Sequence, residues 1–341
     1  MAFVHWTDDG AIDAWLTWMR SSRGRSDRTV EAYGAALARL REFLDGKALL
    51  DANAAELEMF CGLWLHKKGV VARSRIPYVS AVRGFYKWAR KEGAVRVNPA
   101  AGLEHPKTGK PLPRSITLTN AEKLMWAPDM GTFIGVRDAL MLTLLIGCGL
   151  RVSGLVSMNE SDVRSLEIDG QLRLTVAVTE KGAKERRVPL PMDADRLLRV
   201  YLDHDELKAI DRTIEPKPGR SDKVLFVSVR STLYRPGLSP GEERRLTRKA
   251  VNDMIHRYGK RVGIPKEELH PHAMRHLFGT ELTEDNVPTA SVAELMGHAD
   301  LKSTAIYVQL AMKRKAGLMD KHGPMSKMTT PVSELLKRLP K

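Results

Sequence analysis

A chain of 341 residues with 43% apolar side chains has material for two ordinary domains, each with its own buried core. Its 55 lysines and arginines against 41 aspartates and glutamates give a formal charge of +14 and an isoelectric point near 9.8. That balance favours a polyanionic partner without separating DNA from RNA or a membrane surface. No stretch approaches the roughly 20 uninterrupted apolar residues of a membrane span, and the opening MAFVHWTDDG lacks the basic and apolar regions of a secretion signal, so a soluble cytoplasmic protein is expected.

Residues 7–92 read as four successive helices, over 7–21, 27–44, 52–68 and 72–92. Apolar positions recur there at steps of three and four, as in Ile12, Leu16 and Met19, or Ile76, Val79, Val82, Tyr86 and Ala89. Ser26 or Asp27 caps the second helix, and Gly69 and Gly93 follow the third and fourth. From Asn98 to Arg114 the run NPAAGLEHPKTGKPLPR, with four prolines and three basic residues, cannot continue a helix. The domain boundary is expected there. Residues 1–104 carry 16 basic and 12 acidic side chains, which leaves +10 of the net charge to the remainder, so both sides suit one polyanion.

Downstream, Thr119 with Glu122 three residues on suggests a capping box. A second helix runs from Thr132 through Ile146. Gln171–Val178, a charged turn Glu180–Glu185 and Arg187–Leu190 suggest a β-hairpin, and Val224–Val229 one more short strand. The polar stretches Asp203–Asp222 and Tyr234–Glu243 read as surface loops. Helices are expected again over about 247–262, 272–286, 289–297 and 301–312. Near the end, Val332, Leu335, Leu336 and Leu339 form an apolar stripe on a helix too short to stand alone in water, so it must dock on something. Cys61 and Cys148 sit in apolar segments without zinc or disulfide spacing and read as core thiols.

Several segments carry chemistry jointly, though each has an ordinary structural explanation by itself. In GCGLRVSGLVSM, Arg151 follows the Gly147–Gly149 turn, where a guanidinium can fork onto a phosphate or merely cap a helix end. In TEKGAKERRVPL, Lys181 lies in the hairpin turn, with Lys184, Arg186 and Arg187 behind it. A lysine there can protonate a leaving oxygen, whereas charged hairpin tips are usually only solvated. In HPHAMRH, His272 and Arg275 share one helix face. His270, His272 and His276 also invite a zinc reading, which the lack of nearby cysteine or acidic ligands disfavours. In ELMGHADLKSTAIYVQL, His298 follows Gly297, and Tyr307 comes nine residues later on an apolar helix face, where a tyrosine is ordinarily core.

The order Arg, Lys, His-x-x-Arg, His, Tyr in GLRVSGL, KGAKERRVPL, HPHAMRH and LMGHADLKSTAIY is similar to the catalytic set of the tyrosine recombinases, the family of phage integrases, Xer-type resolvases and integron integrases. The resemblance spans nearly the whole chain. It implies a mainly α fold with a small β-sheet (α+β), divided into a helical core-binding, SAM-like DNA-binding domain over 1–104, a basic linker over 105–113, a catalytic domain over 114–322, and a C-terminal tail over 323–341 that docks between protomers.

By the same resemblance Tyr307 is the nucleophile that forms a 3′-phosphotyrosine, Arg151 and Arg275 hold the non-bridging oxygens, Lys181 protonates the departing 5′-oxygen, His272 assists proton transfer at Tyr307, and His298 hydrogen-bonds the phosphate. Cofactors are expected to be none: the cations stand where a metal would, and no ATP is needed because the phosphotyrosine conserves the bond energy. The implied partners are double-stranded DNA with inverted-repeat core sites and three further copies in a homo-tetramer through a Holliday junction. A monomer when free and accessory proteins both remain open, and the location is cytoplasmic at the nucleoid. One position departs from the pattern, since Gly154 stands where the family usually has a glutamate supporting the first arginine. The orientation of Arg151 then falls to another partner, or the enzyme is slow. A type IB topoisomerase shares this chemistry, and a catalytically inactive DNA-binding protein stays open through Gly154. An RNA-binding module has less behind it, with no aromatic stacking motif.

Overall fold

The computed structural model describes residues 6–109, 115–168, 170–179, 185–229, 237–297 and 317–337. The chain divides into two compact units, Met1–Pro111 and Leu112–Lys341. The first unit is all-helical: α1 (Asp8–Ser21), α2 (Asp27–Leu44), α3 (Ala54–Met59) and α4 (Ala72–Lys91). Side-chain oxygens of Thr7, Ser26 and Asn53 accept the first free backbone N–H groups of α1, α2 and α3.

The core of this unit is aromatic. Trp15 is fully buried, stacked on Tyr33 with ring centroids 5.8 Å apart and edge-on to Phe85 at 5.5 Å. The buried Tyr86 hydroxyl donates to the Leu49 carbonyl at 2.6 Å, which satisfies both groups inside the core. The third helix is not continuous as expected. A π-helical turn, Phe60–Trp64, interrupts it before helix resumes at Leu65–Lys67. The extra residue in that turn buries the neighbours Phe60 and Cys61 together and turns Leu63 outward.

The second unit is built on α6 (Phe133–Gly147), a helix apolar on all sides and buried along nearly its whole length, as a central core helix must be. Before it lies α5 (Leu118–Met125), and after it α7 (Val152–Ser157). An antiparallel sheet follows, β1 (Val163–Ile168), β2 (Gln171–Thr179) and β3 (Glu185–Pro189), with β2 central and Val176 facing Val163 on one side and Val188 on the other. Then come α8 (Met192–Asp203), α9 (Asp205–Ala209), a two-stranded hairpin β4 (Thr213–Lys217) and β5 (Arg220–Lys223), α10 (Pro240–Arg244), α11 (Arg248–Arg261), α12 (Pro271–Glu284), α13 (Thr289–Met296) and, last, α14 (Pro331–Lys337). The architecture is mainly α with small antiparallel sheets, the expected class.

Local expectations fail at identifiable places. The cap of α5 is Thr117 rather than Thr119; its hydroxyl accepts from Asn120 N, and Glu122 instead accepts from Thr329 N at 2.9 Å. Residues 224–227 are buried but form only isolated bridges, Asn159 with Val224 and Val227 with Arg245, so the expected strand there is absent. The polar stretch read as a loop between Asp203 and Asp222 contains α9 and the β4–β5 hairpin, and α10 lies inside the second expected loop. The helix expected over 301–312 lies outside the described residues.

The chain's last described part is seated on its own domain. Val332 is 1% exposed and belongs to the same core as α6. Trp126 Nε1 donates to Thr329 O at 2.7 Å, and Lys327 pairs with Glu281 at 2.7 Å. The side chains of Leu335, Leu336 and Leu339, which complete the expected apolar stripe, fall outside the described residues. Among the described residues, no helix is long and apolar enough to cross a membrane.

Candidate active site

The apolar helix α6 delivers the first arginine. It ends at Gly147, buried Cys148 closes it, and Gly149 then turns the chain at φ +59°. A Cβ on Gly149 would stand 2.4 Å from the Phe278 ring, so both the turn and the close approach require glycine. Two residues later Arg151 adopts an extended conformation as the N-cap residue of α7. Gly154 is buried inside that helix.

Helix α12 delivers the next pair. Pro271 opens it in the position that needs no N–H donor, and the His270 ring caps it by accepting Ala273 N on Nδ1 at 2.9 Å. His272 follows in the first turn, exposed, and Arg275 one turn further on is 5% exposed. The Arg275 guanidinium donates through Nη1 to the Gly149 carbonyl and through Nη2 to the Met296 carbonyl. It thereby ties the Arg151 turn, α12 and the end of α13 together. Arg151, His272 and Arg275 line one open cleft of about 680 Å³, continued along α12 by His276, Gly279 and Thr280.

Basic side chains outnumber the one acidic side chain, Glu284, among the residues that line this cleft. Burial, followed by the charges of Arg151 and Arg186, holds the Arg275 pKa down at about 9. Burial and then Arg186 lower that of Arg151. The imidazole of His272, exposed at its edge but partly desolvated by the cleft wall, is pushed below its ordinary value by that partial desolvation, then by His276, Arg275 and Arg151, which favours the neutral ring able to take a proton. A set of cationic donors facing an open cleft is suited to a phosphate group and to the charge that builds on it during displacement. His270 commits its Nδ1 to the helix cap. Among the described residues no group of three histidine, cysteine or acidic side chains is placed to hold a metal.

Of the six residues singled out in the sequence, the structure brings these three together. Lys181, His298 and Tyr307 lie outside the described residues; Thr179 pairs with Glu185 at the two ends of the segment that contains Lys181, and α13 ends at Met296, two residues before His298. Sequence inspection assigned no role to Arg186. Alternation along β3 sends it and Arg187 to opposite faces: Arg187 donates to Thr175 Oγ1 at 3.1 Å, whereas Arg186 donates to Leu295 O at 2.5 Å beside the cleft. The period-two pattern of the strand was the available signal.

Comparison with known proteins follows the same division. Residues 114–314 match the phage integrase family, and residues 12–93 match the N-terminal SAM-like domain of phage integrases. The chain belongs to the phage integrase family. It is an enzyme of the tyrosine type, a site-specific recombinase. It is 34% identical over 318 residues to tyrosine recombinase XerD of Pseudomonas putida, covering 93% of this chain and 98% of that one. It is 32% identical over 314 residues to tyrosine recombinase XerD of Pseudomonas aeruginosa, covering 92% and 97%. The fold is similar to that of XerH site-specific recombinase bound to palindromic difH substrate in a post-cleavage complex, with a TM-score of 0.61 at 18% identity over 89% of this chain and 82% of that one. It is also similar to that of lambda integrase in a tetramer bound to a Holliday junction, with a TM-score of 0.59 at 19% identity over 93% and 80%.

Proposed function

We propose that this recombinase cuts and rejoins double-stranded DNA through a 3′-phosphotyrosine on Tyr307. The observation that carries the reading is the convergence of Arg151, His272 and Arg275, from helices far apart in sequence, on one cleft. In this scheme Tyr307 attacks the scissile phosphorus and the 5′-oxygen departs, leaving the phosphate joined to the tyrosine oxygen. Arg151 and Arg275 hold the two non-bridging oxygens and offset the charge of the transition state. Neutral His272 takes the phenol proton, Lys181 gives a proton to the leaving oxygen, and His298 hydrogen-bonds the phosphate. A second attack, by the 5′-hydroxyl of a partner strand, reverses the step and releases Tyr307, with no net change in the number of bonds and no need for metal or ATP.

The partners proposed are a DNA duplex with inverted-repeat core sites and three further copies of the chain assembled through a Holliday junction. The net charge of +14 and the basic character of both parts of the chain support a duplex whose phosphates are met along its length. Docking of the tail, 323–341, between protomers is part of the same proposal. With Val332 buried in its own domain, such docking would be an exchange of one seat for another.

The test is trapping on a nicked suicide duplex carrying the cognate site, with wild type and Tyr307→Phe compared on a denaturing gel in the presence of a chelator. A covalent adduct in the wild type alone is the expected result. Binding of a verified cognate site with no adduct would overturn the proposal in favour of an inactive DNA-binding protein.

A further inference from the structure

The last turn of α13 is held by two guanidinium groups that reach it from different elements. Arg275 on α12 donates to Met296 O, and Arg186 on β3 donates to Leu295 O at 2.5 Å. An eight-residue helix leaves its final carbonyls without helical partners, and its C-terminal end carries partial negative charge. Both arginines answer that need. Gly297 then takes φ +66°, and the chain leaves α13 toward His298 from this clamped end.

Arg186 cannot be replaced in this arrangement by its neighbour, because Arg187 faces the other side of the sheet and donates to Thr175. Nor is it a solvated hairpin charge. Burial brings its pKa down to about 10, and its charge is felt by both Arg151 and Arg275. Arg151, His272 and Arg275 line the cleft and Arg186 does not, and one of its donors, Nη1, is spent on the Leu295 carbonyl.

We infer that Arg186 is a positioning residue for strand cleavage, fixing the end of α13 and hence the point from which the chain departs toward His298, rather than one of the residues that contact DNA. This rests on the phosphotyrosine reading. A group that contacts the DNA backbone supplies affinity and a share of the salt dependence, whereas a positioning group supplies rate after the DNA is bound.

The experiment measures single-turnover adduct formation on the nicked suicide duplex at saturating DNA for wild type, Arg186→Met and Arg186→Lys, with duplex affinity measured over a range of salt. Rate constants are taken from the time course, so a fraction of misfolded protein lowers the amplitude and leaves the constant unaffected. Arg186→Met is expected to cut the rate constant by about 10- to 100-fold, as for a misplacement on the order of 1 Å. Its affinity should stay within about twofold and its salt slope unchanged. Arg186→Lys, which keeps a donor and a charge, should recover part of the rate. An unchanged rate constant in Arg186→Met overturns the inference. So does a saturated rate that is normal while the salt slope falls by about one, the signature of a phosphate contact. A wild type that forms no adduct overturns the underlying reading and this inference together. A wild type that reacts while Tyr307→Phe does not upholds the phosphotyrosine reading, whatever the Arg186 variants then show about positioning.

Discussion

Arg173 and Asp320 form a two-pronged ion pair, Nη1 to Oδ2 at 2.6 Å and Nη2 to Oδ1 at 2.9 Å, which fastens the helical stretch 317–322 to the central strand of the sheet. The arginine side chain is 8% exposed and the aspartate 31%, and Asp320 also accepts Met192 N at the start of α8. Removing the carboxylate leaves a buried guanidinium whose remaining partner among the described residues is the Leu190 carbonyl. Asp320→Ala is expected to cost about 2–3 kcal/mol, reduced from the fully buried case by the aspartate's partial exposure. Urea unfolding measures it. A cost under about 0.5 kcal/mol would mean that the pair does not hold this segment.

The cap of α12 makes stability depend on pH. His270 must be neutral at Nδ1 to accept Ala273 N, and its pKa lies below the ordinary 6.5 because of burial, then His272 and His276, with His256 adding to them and a backbone hydrogen bond at Glu267 opposing. As pH falls below 6.5 the unfolded chain binds this proton before the folded one does. The cap's contribution is therefore intact above 6.5 and is lost as pH falls through the folded value. His272, depressed in the same direction, adds to the effect. His270→Ala is expected to cost about 1 kcal/mol at pH 7.5. His270→Asn, a cap that does not titrate, should lose less stability than wild type between pH 7.5 and 5.5. Identical pH profiles for wild type and His270→Asn would refute the assignment.

Much of this architecture is legible in the sequence, for physical reasons that differ by element. The helices of the first unit and α6 announce themselves by periodicity or uniform apolarity and by caps such as Ser26 and Thr132. The hairpin β4–β5 was hidden because its strands, TIEPK and RSDK, are mostly exposed and carry only Ile214 into the core. Apolar Val224–Val227 looked like a strand because burial alone, without alternation, does not separate a strand from a buried connecting segment. At the site, motif order located Arg151, His272 and Arg275. It could not reveal that Arg275 spends two donors on backbone carbonyls, since Gly149 and Met296 meet only through the fold.

The tail makes a separate prediction. Val332 is buried against the second unit's core, and Met325 packs so closely on Gly147 that a Cβ there would lie 2.6 Å from its Cγ. Val332→Ala should cost about 1.5 kcal/mol, the burial of two methyl-sized groups. Met325 lies next to the turn that delivers Arg151, so Gly147→Ala should slow adduct formation as well as lower the melting temperature. Thermal unfolding and the suicide-substrate rate give both readouts. A Gly147→Ala protein with wild-type rate and stability would show that the tail yields freely at this contact.

The concentration of guanidinium groups predicts an anion response without DNA. Arg151 and Arg275 are held below the usual arginine range by burial first and by neighbouring guanidinium charge second, so like charges crowd at the cleft. A tetrahedral dianion seated there would relieve that crowding. At a concentration about ten times its dissociation constant, such an anion adds roughly 1.4 kcal/mol, or about 2–4 °C for a domain of this size. Sulfate compared with chloride at matched ionic strength should therefore raise the melting temperature by that amount. Arg151→Gln removes one of the two charges without touching the Arg275 contacts to Gly149 and Met296, and it should lower the sulfate-specific rise by at least half. An equal sulfate response in Arg151→Gln and wild type would place the anion elsewhere and would remove the electrostatic support for this cleft as the phosphate site.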